Sequence, residues 1–171
     1  MLGGRGEGWK VANETLKHER AYLANPGLLV QRYAEVQRVV KEETLNGQRA
    51  VDDPALRDRL MDLQGRVLAQ QCHGMRLLTL AERKQEPGLA GLISKLQGCE
   101  IRYQLSTLAI DALGEAGLLT AGSAHARAEG IWQERNGFDL GLIIGGGTAQ
   151  IQKNIIAERG LEMPREPKSA A

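Results

Sequence analysis

Two stretches of the sequence carry residue types that could do chemistry. Residues 140–152 read LGLIIGGGTAQIQ, an apolar run followed by three glycines, a threonine and helix-forming residues. Glycines let a backbone approach a phosphate at the start of a helix, so this stretch could bind a nucleotide. Nearer the N-terminus, Glu19 follows Leu16 by three residues and precedes Leu23 by four, on what would be the apolar face of a helix. A carboxylate directed inward must be paired, protonated or catalytic.

The glycine stretch has three interpretations. In a dinucleotide-binding fold, residues 140–144 would form a strand and Gly145-x-Gly147 the turn. However, Gln150 stands in the place of the third glycine, and the 21 residues after it leave no room for the remaining strands. A P-loop is disfavoured because GxxxxGK followed by Ser or Thr is absent. In the third interpretation the glycines only turn the chain into a capped helix, while Gln150 and Gln152 keep a binding role open.

Glu19 also has a simpler interpretation, in which it sits at the edge of the apolar stripe and reaches solvent. Its neighbour Arg20 could pair with a ligand or with the surroundings of Glu19. We expect no metal site, because paired Glu-x-x-His motifs are absent and neither cysteine lies in a CxxC or His-rich context. Cys72 and Cys99 are better explained as buried free thiols in a reducing compartment.

Composition excludes several classes of protein. Lys and Arg number 22 and Asp and Glu number 21, so no net field attracts nucleic acid or an anionic membrane. No apolar stretch approaches the roughly 20 residues that a membrane-spanning helix needs. We therefore expect a soluble, cytoplasmic protein, and 171 residues are enough for one domain.

Apolar spacing predicts two helices in the first third of the chain. The first begins at about Trp9 and is interrupted at Asn25-Pro26-Gly27. The second covers about residues 28–45 and ends at a turn at Asn46-Gly47. Its predicted inward side chains are Leu29, Tyr33, Val36 and Val40.

Two longer helices follow. Asp53-Pro54 is an N-cap with proline in the first helical position, and the helix that begins there should run about thirty residues before Pro87-Gly88. Its predicted buried stripe comprises Leu56, Leu60, Leu63, Val67, Cys72, Met75 and Leu78. The fourth helix covers about residues 89–113, with Gly114 as its C-cap.

Four long helices with short connections predict an all-α, up-and-down four-helix bundle with additional short C-terminal helices. Residues 115–127 should form a loop, residues 129–135 a short helix containing Trp132, and residues 149–159 the last helix. The domain is expected to comprise residues 1–165, and residues 166–171 to be a disordered tail.

At this level of detail the sequence resembles a known family. Residues 6–20 (GEGWKVANETLKHER) and 145–166 (GGGTAQIQKNIIAERGLEMPRE) closely resemble the two ends of the C-terminal helical domain of FAD-dependent acyl-CoA dehydrogenases. The resemblance covers nearly the whole chain, and the N-terminal MLGGRGEGWK reads like the middle of a longer protein. It implies an FAD cofactor, an acyl-CoA substrate converted to a trans-2-enoyl-CoA, electron transfer to electron-transferring flavoprotein, and assembly as homodimers or homotetramers.

The resemblance also assigns roles to individual residues. Thr148 and Gln150 match positions that contact FAD. Many members carry their catalytic glutamate at the position of Gly146, so the usual base is missing here. A minority of members place the base in a Glu-Arg pair on the first helix, which Glu19 and Arg20 match, with Arg20 facing the substrate.

Two segments depart from the family pattern. An Arg-x-x-Phe-Gly segment that usually contacts the FAD of a neighbouring subunit appears as residues 43–47 (ETLNG), and a Gln-x-x-Gly-Gly segment appears as residues 111–115 (DALGE). Both place a negative charge where FAD phosphates approach in other members. The chain could therefore be an inactive subunit of a heteromeric dehydrogenase, and a non-catalytic oligomerisation or binding module is the alternative from another class. The fragment by itself is expected to be inactive.

Overall fold

Helices dominate the structure, a computed structural model that describes residues 3–23 and 25–165; the predicted tail, residues 166–171, lies outside them. The α-helices in this part of the chain are α1 (Gly8–Leu23), α2 (Pro26–Glu42), α3 (Pro54–Glu82), α4 (Leu89–Leu113), α5 (Ile131–Ile144) and α6 (Ala149–Gly160). Two short antiparallel strands, β1 (Thr44–Leu45) and β2 (Gln48–Arg49), join α2 to α3. The predicted all-α class is confirmed.

The helix α4 forms the centre of the bundle. It packs against α1, α2, α3, α5 and α6, and its side chains are apolar or small on nearly every side, as a helix surrounded by others requires. The four long helices of the predicted bundle include α1. In the structure α5 also packs along α4 and places Trp132 in the main core. The main core also includes Leu29, Val36, Leu60, Leu63, Ile101, Leu105 and Leu108.

The second helix confirms its predicted inward face and corrects its predicted end. Its four expected inward side chains are all buried. The helix ends at Glu42 rather than at residue 45, because residues 44–49 turn back as a hairpin. Asn46 and Gly47 both have a positive φ, 53° and 79°, which the tight turn between two strands demands.

The third helix begins and ends as predicted, but its predicted stripe is buried only in its first half. The carboxylate of Asp53 accepts hydrogen bonds from the amides of Ala55 and Leu56, and the helix runs for 29 residues. Cys72, Met75 and Leu78 are exposed, so their predicted burial is wrong. The inward side of this half is formed instead by Gln70, which is buried, and by His73, Gly74 and Leu77, which are half-buried.

The start of α2 lies beside the middle of the second half of α3. A Cβ placed on Gly74 would lie 2.6 Å from Cγ of Pro26, the first residue of α2. Cys72 and Met75 lie about 160° and 100° around the helix from Gly74, so both point away from this contact. Of the two cysteines, Cys99 is buried as expected.

The fifth helix is longer than the predicted segment 129–135. Residues 140–144 form its last turns. Asp139 interrupts the apolar pattern of α5, because it places a fully buried carboxylate on the inward side of the helix. It accepts hydrogen bonds from Arg32 of α2 at 3.2 Å and from Arg102 of α4 at 3.0 Å, so an ionic network joins three helices.

The last helix is confirmed at both ends, since it begins after Thr148 and ends at Gly160. Within the described ranges, no helix combines the length and the apolar character needed to cross a membrane.

Candidate functional site

The glycine loop, residues 145–147, lies against the second half of α1. A Cβ placed on Gly146 would lie 3.7 Å from Cδ of Glu19 and 3.5 Å from Cγ of Arg20. A Cβ on Gly145 would lie 3.8 Å from Oε1 of Glu19. The two stretches that carry the candidate chemistry, from opposite ends of the sequence, therefore form one site.

The loop needs glycine at two of its three positions. Gly146 has a φ of 63° and Gly147 a φ of 103°, in the region that residues with a Cβ rarely adopt. Gly145 is extended and ends α5, with its amide donating to the carbonyl of Gly141 at 3.0 Å. Only four residues, 145–148, thus separate the end of α5 from the start of α6.

Polar side chains from three helices hold the carbonyl groups of this turn. Nε of Arg20 donates to the carbonyl of Gly146 at 2.9 Å, and Nε2 of Gln152 donates to the same oxygen at 3.1 Å. Nζ of Lys95 donates to the carbonyls of Ile143 at 2.9 Å and Gly147 at 2.8 Å. The conformation of the loop is thus fixed by α1, α4 and α6 together.

Lys95 is almost completely enclosed, with 1% of its surface exposed. Burial lowers the pKa of its ammonium, and the positive charge of Arg20 lowers it further, whereas Cys99 and Glu19 act to raise it. The sequence by itself predicts no role for Lys95. The signal that could have found it is the apolar or small character of α4 on nearly every side, because a cation in such a helix must have buried partners.

The carboxylate of Glu19 is half-buried between the loop and the apolar side of α1. Leu23 on that side is buried and Leu16 is half-buried, but Ala12 and Trp9 are exposed. Among the side chains that the structure describes, Glu19 forms no ion pair within 4.0 Å. A half-buried carboxylate without an ion pair can accept a proton from a ligand placed beside it.

The N-terminus of α6 adjoins the same loop. The hydroxyl of Thr148 accepts a hydrogen bond from the amide of Ile151 at 3.2 Å, and the carbonyl of Thr148 accepts one from the amide of Gln152 at 2.9 Å. The amides of Ala149 and Gln150 have no acceptor within the described residues, and the side chain of Gln150 is exposed. This end of the helix can therefore bind a polar or anionic group.

The two segments that depart from the family pattern lie together at the other end of α4. A Cβ placed on Gly114 would lie 2.7 Å from Cδ1 of Leu45. Glu43 pairs with Arg127, and Asp111 pairs with Arg59 at 2.7 Å. Because these carboxylates already use the nearby arginines, this region does not fit the phosphates of a flavin nucleotide.

The fold and the site define an all-α bundle domain in which a glycine loop joins the last two helices beside α1. The family model described as acyl-CoA dehydrogenase, C-terminal domain, matches residues 6–161. The chain belongs to this family.

A named relative and two solved structures resemble the chain. Acyl-CoA dehydrogenase IpdE1 of Mycolicibacterium smegmatis is 32% identical over 168 residues, which cover 98% of this chain and 40% of the relative. The chain thus spans about 40% of the length of the curated relative it matches. The Tcur3481-Tcur3483 steroid ACAD has a TM-score of 0.80 at 24% identity, covering 96% of this chain and 42% of that chain. The ChsE4-ChsE5 complex from Mycobacterium tuberculosis has a TM-score of 0.77 at 25% identity, covering 96% and 43%.

Proposed function

We propose that the complete protein containing this chain is an acyl-CoA dehydrogenase, which removes two hydrogens from an acyl-CoA thioester to give a trans-2-enoyl-CoA. The observation that carries this proposal is the position of Glu19. Its carboxyl group lies beside Gly146, the position from which many relatives extend their catalytic glutamate. Positions 19 and 146 are far apart in sequence, but a carboxylate at either position would reach the same region of the site.

In this proposal Glu19 takes the pro-R hydrogen of the α-carbon as a proton. Its position between the loop and the apolar side of α1 keeps the carboxylate next to an apolar acyl chain, and an apolar surrounding suits proton abstraction from carbon. Arg20 faces the same site. Because its Nε is bonded to the carbonyl of Gly146, its guanidinium is held beside the substrate.

The cofactor residues of the proposal are Thr148 and Gln150, at the start of α6. The hydroxyl hydrogen of Thr148, the side chain of Gln150 and the amides of Ala149 and Gln150 supply donors where FAD would approach, so this end of the site fits that cofactor. When bound, FAD supplies the acceptor for the hydride that leaves the β-carbon. Electron-transferring flavoprotein is the proposed acceptor of the electrons thereafter.

The complete protein could assemble in one of two ways, as a homo-oligomer or as a heteromeric dehydrogenase. Residues 1–165 would form the C-terminal domain of each subunit in a homodimer or homotetramer, with residues 166–171 as a tail. The region around Glu43 and Asp111 favours the second alternative, a heteromeric dehydrogenase in which this chain does not complete the FAD site of its neighbour. The ChsE4-ChsE5 complex, by its name, combines two different proteins.

Replacement of the base is the direct test. In the complete protein, Glu19→Gln should lower kcat by about 10²–10⁴-fold, the usual contribution of a positioned general base. The control is Glu14→Gln on the same helix, where the side chain is exposed and turnover should not change. Near-normal turnover in Glu19→Gln would exclude Glu19 as the base.

Flavin absorbance separates the enzyme from a non-catalytic oligomerisation or binding module. The complete protein should purify with bound FAD and bleach it on addition of an acyl-CoA substrate. A protein that contains no flavin and reduces no acceptor with any acyl-CoA would be such a module.

A further inference from the structure

The proposed chemistry leaves one charged group of the site without a role. Lys95 carries an ammonium into the centre of the bundle, and no ion pair with a carboxylate is found for it within residues 3–23 and 25–165. Its hydrogen-bond acceptors are two backbone carbonyls. A buried charge is costly unless its partners are well placed, so the placement of these carbonyls is informative.

One of these carbonyls precedes the glycine loop and the other belongs to its last residue. Ile143 lies in the last turn of α5, where carbonyls lack partners within the helix and the helix dipole is negative. Gly147 directly precedes the capping residue of α6. The ammonium therefore ties the end of one helix to the start of the next.

Ordering the glycine loop costs backbone entropy. Glycine residues lose more backbone freedom on ordering than any other residue, and two of them here adopt a positive φ. Arg20 and Gln152 both bind the carbonyl of Gly146, in the middle of the loop. Within the described residues, Lys95 differs from both because it bonds carbonyls on either side of that point.

We propose that Lys95 is a positioning residue, whose ammonium holds the glycine loop in the conformation that sets Gly146 against Glu19 and presents the N-terminus of α6. The effect of Lys95 on proton abstraction rests on the proposed function of Glu19. The effect on the conformation of the loop does not, and it can be measured without turnover.

Hydrogen–deuterium exchange in the complete protein tests the conformational effect. Lys95→Met keeps most of the side-chain volume and removes both hydrogen bonds, so amides of residues 145–152 should exchange about 10-fold faster or more. Amides of residues 56–67, in the buried half of α3, serve as the internal control and should not change. Lys95→Gln retains one polar donor group and should give an intermediate rate.

Steady-state kinetics of the same variants test the effect on the reaction. We expect kcat of Lys95→Met to fall by about 10²-fold, the size of loss that a misplacement of roughly 1 Å produces, with KM for acyl-CoA within about threefold of wild type. A rise in KM at constant kcat would mean a role in uniform substrate binding and would overturn the proposal.

Two exchange results would also overturn it. One is unchanged exchange of residues 145–152 in both variants, and the other is an equal increase in residues 56–67, which would mean only general destabilisation. If Lys95→Met does not accumulate as folded protein, the exchange of residues 145–152 in Lys95→Gln tests the proposal by the same criteria. Glu19→Gln should lower turnover without changing the exchange of residues 145–152. If Glu19→Gln retained wild-type turnover, the proposed function of Glu19 would be wrong. The exchange data for the Lys95 variants would still test the role of Lys95.

Discussion

At the scale of single residues, the charge of Lys95 makes stability depend on pH. Burial lowers the pKa of Lys95 in the folded protein from its ordinary value of 10.5. Between the lowered pKa and 10.5 the unfolded chain binds more protons than the folded chain does. The free energy of unfolding should therefore rise with pH across that interval, because the cost of burying the ammonium disappears as it loses its proton.

Urea unfolding of wild type and Lys95→Met at several pH values up to 10.5 checks this prediction. The difference in unfolding free energy, wild type minus variant, should increase with pH. Lys153→Met is the control, since Lys153 is exposed on α6 and its difference from wild type should stay flat. A Lys95 difference that stays constant or falls with pH would contradict the assignment of a lowered pKa.

Glu19 and Lys95 show which site residues a sequence can reveal. Glu19 was found from the spacing of α1, because a carboxylate between leucines on one face stands out. Lys95 does not stand out, since a lysine in a helix usually lies in solvent and only the burial of most of α4 makes it unusual. Its two acceptors are backbone carbonyls of a distant loop, which no side-chain pattern records.

At the scale of elements, the start of α5 depends on a close approach between two backbone segments. A Cβ placed on Gly130 would lie 2.3 Å from the amide nitrogen of Ala121 and 2.5 Å from the carbonyl carbon of Thr120. Gly130 also has a φ of 67°. Gly122 has a φ of 88° but no neighbour within 4 Å of such a Cβ.

The two glycines form a matched pair for mutation. Gly122→Ala should cost about 1–2 kcal/mol of unfolding free energy, the price of a positive φ in a residue with a Cβ. Gly130→Ala should cost about 1–3 kcal/mol more, because the backbone of residues 120–121 must move. Denaturant unfolding measures both, and equal losses would show that the two segments separate without cost.

Helix ends were predictable where a local signal fixes them, and less so where a distant partner does. Asp53 caps α3 with its own carboxylate, and Thr148 caps α6, so both helices begin where local chemistry places them. The length of α5 was missed because Asp139 occupies an inward position, and its arginine partners come from α2 and α4. The exposure of Cys72 and Met75 is not predictable from the stripe, because the inward side of α3 continues through Gln70 and His73, whose partners are backbone carbonyls of α4.

At the scale of the whole molecule, α3 carries one of several exposed apolar surfaces. Leu68, Met75 and Leu78 are 57%, 55% and 71% exposed, at spacings that put them on one side of the helix. Apolar surface of this kind is a typical site of association between subunits. We expect it to contribute to the assembly of the complete protein.

Leu78→Glu tests this expectation. A charge on this side should shift the complete protein toward smaller species in sedimentation velocity, with helix content unchanged in circular dichroism. Ala69→Glu adds the same charge at an exposed position about 100° around the helix from Leu68, and it should leave the assembly intact. Equal behaviour of the two variants would exclude this side of α3 from the interface.

The hydrogen bond from Arg20 to Gly146 joins residues 126 positions apart. Bringing such distant points of a flexible chain together costs entropy, and a single hydrogen bond of about 1 kcal/mol cannot offset that cost. The meeting of α1 with the loop therefore depends on α4, on which both α1 and α6 rest. The spacing between the proposed base and the proposed cofactor residues is in this sense a property of the central helix, and substitutions along α4 can alter it without touching either group.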